Sequence, residues 1–377
     1  MSIADRWTSR LGELDRLGQL RKLTPPRGID FSSNDYLGFS KSRWPTGADA
    51  SRSGASSRLV RGNHEIWEEV EITLAQLHGS AALMMTSGYA ANEGLLSTVI
   101  EPQDWVGSDE LNHASIIDGI RLSKADKFLF RHNDLEHLES GLREAAASRA
   151  PGRELFIVTE ALFGMEGDCP RFPELISLAK KYAAHLIVDE AHTTGCFGRQ
   201  GLGLLEEFGR EQILASVHTG GKALAVPGAY IACSRILKEY LVNRCRHFIY
   251  TTALPPAVGA WWLETIHRVS SYAKERENLV GNAQAFRHAL TDHGIGARGK
   301  HYIVPIILGD NSAAVGAGEA LQKEGFDVRA IRPPTVPPGT ARLRISIHAD
   351  HDQATLLALA EALARILKQI RPAGSCF

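Results

Sequence analysis

The sequence predicts an α/β protein: a mainly parallel sheet covered by helices on both faces, followed by a smaller α/β unit. Three observations predict it. Between about 80 and 235, seven short apolar runs alternate with amphipathic helical stretches. The runs are 82–85, 105–107, 127–130, 155–158, 186–188, 214–217 and 229–232, and the clearest helices fall at 89–99, 113–123, 134–147 and 172–184. Residues 256–293 then read as long helices that end at a Gly294–Gly299 joint. Beyond it the pattern repeats on a smaller scale: strand 303–308, helix 312–324, a strand near 327–330, strand 342–347 and helix 352–370. Strands alternating with helices make βαβ units, and such sheets bind ligands beyond the carboxyl ends of their strands. A length of 377 residues leaves room for about two domains.

Ahead of this region, residues 3–22 form a polar amphipathic helix, with Leu11, Leu14, Leu17 and Leu20 near helical spacing, broken by Thr24-Pro25-Pro26. Ile29–Ser32 is a short strand, and 40–56, rich in Ser, Gly, Arg and Ala, is loop. A helix over 64–78 carries the stripe Ile66, Trp67, Val70, Leu74 and Leu77. The net charge of −1 argues against an all-over basic surface for nucleic acid or anionic lipid. No apolar run approaches the ~20 residues that span a bilayer. The charged N-terminus lacks the apolar core of a secretory signal. The five cysteines are odd in number and none is spaced C-x-x-C, as expected of reduced thiols in a cytoplasmic protein. H-E-x-x-H is absent, so no metal is expected.

Four segments carry chemistry. In Leu186-Ile-Val-Asp-Glu-Ala-His192 a buried strand ends on Asp189, with His192 three residues on. Asp189 reads equally as a helix cap or as a carboxylate aimed into the ligand crevice. In Ser216-Val-His-Thr-Gly-Gly-Lys222-Ala a lysine follows a strand in a Gly-rich turn. It is not a Walker A loop, because Ser216 and Ala223 stand where that motif needs Gly and Ser or Thr. Lys222 is either an exposed loop cation or a cleft lysine whose neutral amine forms a Schiff base. Thr86-Ser-Gly-Tyr-Ala-Ala-Asn92 places small residues between a strand and a helix, where backbone N–H groups meet anions. Asn112-His113-Ala-Ser115, at the next strand end, offers either a surface histidine or an imidazole for a flat ring to stack on.

Together the segments ask for one ligand. It has a phosphate (87–89 and Thr219), a ring nitrogen needing a carboxylate (Asp189), a stacking face (His113) and an aldehyde needing a lysine (Lys222). Pyridoxal 5'-phosphate (PLP) meets all four, and an anion beside its ring nitrogen keeps that nitrogen protonated and electron-accepting.

Over nearly its whole length the chain resembles the α-oxoamine synthases, PLP enzymes of the fold type I transferases. The resemblance runs through Ser33-Asn-Asp-Tyr-Leu-Gly38, Ser57-Arg-Leu-Val-Arg-Gly-Asn63, Ser87-Gly-Tyr-Ala-Ala-Asn92, Leu111-Asn-His-Ala-Ser-Ile-Ile-Asp-Gly119, Val188-Asp-Glu-Ala-His192, Thr219-Gly-Gly-Lys-Ala223, Thr251-Thr-Ala-Leu-Pro-Pro256 and Ile331-Arg-Pro-Pro-Thr-Val-Pro-Pro-Gly-Thr-Ala-Arg-Leu-Arg-Ile345. It implies a large PLP-binding domain over 51–293 with a mainly parallel seven-stranded sheet, a small C-terminal α/β domain over 294–377, and an N-terminal helix and substrate-side segment over 1–50. Within the family the resemblance is to members that condense L-alanine with a pimeloyl thioester. They release CO2 and the thiol carrier (CoA or a carrier protein) and make 8-amino-7-oxononanoate for biotin biosynthesis.

Carried over residue by residue, the resemblance makes Lys222 the cofactor's covalent anchor and then the base for the α-proton. Asp189 pairs with the ring nitrogen, His192 contacts the phenolic oxygen and His113 stacks on the ring. Ser87, Gly88, Tyr89 and Thr219 surround the phosphate. Thr251 and Thr252 match the segment that reaches the neighbouring subunit's phosphate, which implies a homodimer with shared sites. Arg344 clamps the amino-acid carboxylate, Asn34 and Tyr36 lie on the substrate side, and Arg21 meets the far carboxylate of the acyl chain.

Three departures stand out. Gly164 replaces a serine expected at the phenolic oxygen, 39–53 is shorter than expected, and Ala55-Ser56 stands where Gly-Gly is usual. Two other readings share these residues: a sibling synthase using glycine or serine with another acyl-CoA, and a non-catalytic PLP-fold binding module, for which only Gly164 speaks. A nicotinamide oxidoreductase is excluded, because no G-x-G-x-x-G follows the first strand.

Overall fold

The structure is a computed structural model that describes residues 1–41, 52–148, 151–209 and 212–370. The part of the expected 40–56 loop between 42 and 51 lies outside the described residues, as does Cys376. The chain divides into two compact units. One holds Leu37–Phe163 and Cys169–Arg276; the other holds Met1–Tyr36, Gly164–Asp168 and Glu277–Phe377. These limits differ from the 50/51 and 293/294 boundaries expected from sequence.

The chain opens with α1 (Ile3–Arg16) and β1 (Ile29–Asp30), both of the smaller unit. A capping box starts α1: the Ser2 side chain accepts from Asp5 N–H, and Asp5 accepts from the Ser2 N–H. Gly18, at φ +63°, ends it near Arg16 rather than at 22. No residue of α1 is buried, and Ile3, Trp7, Leu11 and Leu14 form an exposed apolar stripe.

The larger unit follows with α2 (Glu65–His78), β2 (Ala81–Met85), α3 (Gly88–Val99), β3 (Trp105–Asp109), α4 (Ala114–Ser123), β4 (Asp126–Phe130), α5 (Leu135–Ala147), β5 (Leu155–Glu160), α6 (Phe172–Lys181), β6 (His185–Asp189), β7 (Ile213–Thr219), β8 (Ala229–Cys233), α7 (Arg235–Arg244), α8 (Arg246–Ile249) and α9 (Pro256–Val269). All seven sequence-predicted strands are present, in the order β2-β8-β7-β6-β5-β3-β4. Only β8 runs antiparallel to its neighbours. Along β5, Leu155 and Ile157 join one apolar cluster and Phe156 and Val158 the other, so side chains alternate into a core on each face. Ala55 adopts φ +58°. The usual glycine there meets a left-handed backbone that costs an alanine about 1–2 kcal/mol.

The smaller unit is completed, from Glu277 within α10 (Ala273–Asp292) onward, by β9 (Ile303–Gly309), α11 (Asn311–Lys323), β10 (Phe326–Asp327), β11 (Arg329–Ile331), β12 (Ala341–Ser346) and α12 (Gln353–Ile370). Its main sheet is antiparallel, in the order β11-β12-β9. β1 pairs in parallel with β10, and the Ser346 N–H donates to Phe31 O at 2.8 Å. These bonds explain why the first 36 residues fold with the tail.

His348 lies fully inside this unit, stacked on His351 with ring centroids 4.7 Å apart. Burial pushes its imidazole below the ordinary 6.5, against a smaller opposing pull from Asp30. His301 is lowered as well, again chiefly by burial. Such groups take up protons in the unfolded chain first, so stability is complete above the unfolded pKa and declines as pH falls below it. The unfolding free energy in urea should therefore fall between pH 7.5 and 5.5, and His348→Asn should flatten that slope. An unchanged slope would mean that His348 does not carry the linkage.

Candidate active site

In the larger unit, candidate side chains gather where parallel strands end. Asp189 closes β6, Thr219 closes β7, Ser87 follows β2 and His113 caps α4 just beyond β3. The Asp189 side chain is buried (7% exposed). Its Oδ1 accepts from the Ala191 N–H at 2.8 Å and its Oδ2 from Asn92 Nδ2 at 2.6 Å. Among the described residues no cation pairs with it. Lys222 Nζ lies 2.8 Å from His192 Nε2. Behind His192, the fully buried Glu190 carboxylate ties down the following segment by accepting from Leu204 N at 2.9 Å, Leu205 N at 2.7 Å and Thr193 Oγ1.

His113 belongs to the same group. Burial pushes its imidazole below the ordinary range; the Asp189 charge opposes this and the Lys222 charge adds to it. Its backbone N–H donates to Glu160 Oε1 at 2.7 Å. Ser87 caps α3 by accepting from Ala90 N at 3.1 Å. A Cβ on Gly88 would sit 3.3 Å from Thr219 Cβ, so the α3 N-terminus and the end of β7 approach closely. A helix N-terminus with a hydroxyl beside it suits a phosphate. Tyr89 directs its hydroxyl to Asp118, which raises its pKa, and its ring stands edge-on to His113 at 6.1 Å. That leaves its backbone N–H, rather than its phenol, to face an anion. Thr251 lines a small cavity with Arg58, Trp67 and Thr86, and Thr252 is exposed.

The glycines before Lys222 have separate roles. A Cβ on Gly220 would come within 2.4 Å of both the Trp262 ring and Val226 O, so only glycine lets the chain turn there. The Gly220 N–H donates to Gly228 O at 2.9 Å, and the Val226 N–H donates to Gly220 O at 2.9 Å. At Gly221 the nearest atom to an added Cβ is Thr219 Oγ1, at 3.9 Å.

The smaller unit holds a second cluster. Arg344 is 5% exposed on β12. Its Nε donates to Gly164 O at 2.6 Å, Nη1 to Ser346 Oγ at 2.7 Å, and Nη2 to Asn34 Oδ1 at 2.8 Å and Tyr36 Oη at 3.1 Å. The expected trio Arg344, Asn34 and Tyr36 is thus one cluster, and Gly164 joins it through its carbonyl. Every partner is neutral; among the described residues no carboxylate pairs with Arg344. Two residues earlier on the strand, Arg342 is buried with Glu166 Oε1 at 2.5 Å. Arg21 stands apart from Arg344's cluster, exposed, with Nη2 3.0 Å from Thr335 Oγ1.

Sequence reasoning passed over Asn92, Ser115 and Glu160 as site residues. Asn92 and Ser115 lay inside motifs already singled out, but nothing local to a helix interior says which carboxylate an asparagine will meet.

A sequence model of the aminotransferase class I and II family matches residues 26–363. The 8-amino-7-oxononanoate synthase of Chlorobaculum parvum is 44% identical over 349 residues, covering 89% of this chain and 88% of that protein. The chain belongs to this family, in its α-oxoamine synthase branch. Among solved structures, a serine palmitoyltransferase variant from S. paucimobilis with a bound PLP–myriocin aldimine is 26% identical, with a TM-score of 0.88 over 98% of this chain and 99% of that one. The 8-amino-7-oxononanoate synthase of Francisella tularensis is also 26% identical, with a TM-score of 0.75 over 91% of this chain and 98% of that one.

The chain is therefore a PLP-dependent enzyme of the acyltransferase type. Its own residues fit the cofactor: a buried carboxylate with two neutral donors, an amine against an imidazole, and a helix N-terminus beside a threonine hydroxyl. Gly220→Ala should lower PLP content and melting temperature together, whereas Gly221→Ala should keep both near wild type. Equal damage from the two substitutions would remove the Trp262 contact as the reason for Gly220.

Proposed function

We propose that this enzyme condenses L-alanine with a pimeloyl thioester, releasing CO2 and the free thiol carrier and forming 8-amino-7-oxononanoate. The observation that carries the proposal is the buried guanidinium of Arg344, held among the described residues by neutral oxygens alone. A buried cation without a counter-ion is costly, so a site that maintains one is suited to an arriving anion. A carboxylate there replaces neutral acceptors with charge-assisted bonds and fixes the amino acid's orientation. Orientation matters because it decides which bond to Cα breaks.

When bound, PLP supplies a ring that accepts negative charge developing at the amino acid's Cα. Asp189 holds the ring nitrogen's proton by its negative charge. Lys222 Nζ would anchor the cofactor covalently and, as a free amine, would take the α-proton; His192 Nε2, at 2.8 Å, orients that amine. His113 presents a neutral imidazole face to the ring. The α3 N-terminus, Ser87 and Thr219 hold the phosphate. Arg21 meets the far carboxylate of the acyl chain. The exposed Leu59, Val60 and Tyr250, the last adjoining Thr251 and Thr252, support a homodimer in which those threonines serve the partner's phosphate.

The likeness to a serine palmitoyltransferase keeps a sibling substrate set in view. Thiol release by the PLP-loaded enzyme, given pimeloyl-CoA with L-alanine, glycine or L-serine in parallel, separates the two. Release with alanine is expected. Release only with another amino acid would overturn the alanine assignment and leave the chemistry standing. Lys222→Ala should fold and lose all turnover, and persistent thiol release would remove Lys222 as the base. Arg344→Ala should raise the KM for the amino acid by ~10- to 100-fold, the worth of a charge-assisted bond, with a far smaller change in PLP affinity. An unchanged KM would take the carboxylate away from Arg344.

A further inference from the structure

Asn92, inside α3, is buried and donates in two directions at once. Its Nδ2 lies 2.6 Å from Asp189 Oδ2 and 3.0 Å from Ser115 Oγ. The amide orientation follows from chemistry, because a carboxylate only accepts hydrogen bonds. One N–H therefore goes to Asp189 and the other to Ser115. Ser115 Oγ, having accepted from Asn92, lies 2.8 Å from His113 Nδ1. That nitrogen also accepts from the Ser115 N–H at 3.3 Å, so it carries a lone pair and the serine hydroxyl donates to it. The chain of bonds runs one way, from Asn92 Nδ2–H through Ser115 Oγ–H to His113 Nδ1. The proton of the neutral imidazole is left on Nε2.

We propose that Asn92 is a positioning residue acting on two cofactor-facing groups together: it fixes Asp189 directly and, through Ser115, fixes His113 as the Nε2–H tautomer. The proposal rests on the roles given above to Asp189 and His113 and extends them. One side chain on α3, the helix whose N-terminus faces the phosphate, thereby orients the groups at the ring nitrogen and at the ring face. Ser115 has no exposed surface, and Asp189 and Asn92 are buried, so water does not substitute for the two bonds that Asn92 donates.

The test uses the PLP-loaded enzyme and three readouts: cofactor dissociation constant, position of the visible absorbance band, and the paired 15N shifts of His113, assigned with His113→Gln. Thermal melting confirms that each variant folds. In the wild type, the shifts should show Nδ1 unprotonated and Nε2 protonated; the reverse overturns the directed chain and needs no variant. Asn92→Ala should weaken PLP binding by ~10- to 100-fold, as expected for a lost bond to a charged group, shift the band and disturb His113. Ser115→Ala cuts only the second arm. It should move the His113 signals towards a tautomer average while PLP affinity stays within about threefold, the low end of the loss of one neutral bond. Asn92→Asp keeps the shape but removes both donors and sets a like charge against Asp189. It should bind PLP worse than Asn92→Ala; better binding would make packing the role of Asn92 and overturn the proposal. Asp189→Asn, with Asn92 intact, tests the underlying reading separately. Wild-type affinity and band in that variant would remove Asp189 from the ring nitrogen, whatever Asn92 does.

Discussion

A carboxylate shut away from water needs either a cation or enough N–H donors to stay ionised. Asp189 is given donors and, among the described residues, no cation. That constraint organises the larger unit's site. It explains why β6 ends there, with the Ala191 N–H folded back onto Oδ1. It explains why α3 turns an asparagine inward. It also leaves the negative charge available to a ligand, which a salt bridge within the protein would have consumed. The smaller unit shows the mirror image. Arg344 is a shielded cation surrounded by a carbonyl, two hydroxyls and an amide oxygen. Arg342, on the same strand, has Glu166 and is fully satisfied. Structural and ligand-directed charge thus differ in whether the protein supplies the partner, and burial alone does not tell them apart.

Much of the fold was legible because hydrophobic periodicity is local. The strands of the large sheet and the helices between them follow from runs of apolar residues and 3.6-residue stripes. α7 was passed over because half of Arg235–Arg244 is polar and only Leu241 is buried. The early end of α1 turns on Gly18, a single residue in a left-handed conformation, against a leucine repeat that runs on to Leu20. The N-terminal segment was assigned a place of its own, whereas β1 pairs with β10 from nearly 300 residues further along the chain. Long-range pairing of a two-residue strand leaves no sequence signature.

The site divides along the same line. Asp189, Lys222, His113 and Ser87 stood out because each follows an apolar run, where parallel strands end. Arg344, Asn34 and Tyr36 came only from the family resemblance, and they do form one cluster. That Gly164 contributes its carbonyl, and that Arg344 has no carboxylate partner among the described residues, are facts of tertiary structure. The same holds for Asn92, whose two bonds join residues 23 and 97 positions away.

The reversal of β8 has a consequence for how the lysine is carried. β7 and β8 are antiparallel neighbours, so the chain from Thr219 to Ala229 returns into the sheet it has just left, with no crossover helix between. Most ligand loops of such sheets are joined to the sheet at one end and to a helix at the other, and they tolerate insertion because the helix can slide or lengthen. Lys222 sits instead on a clasp whose two ends are held in register by ladder hydrogen bonds and whose middle is cross-tied from Val226 to Gly220. Its length is set by the spacing between strands. Diversity among enzymes built on this plan should therefore accumulate in the segments around the clasp and leave the clasp itself unchanged.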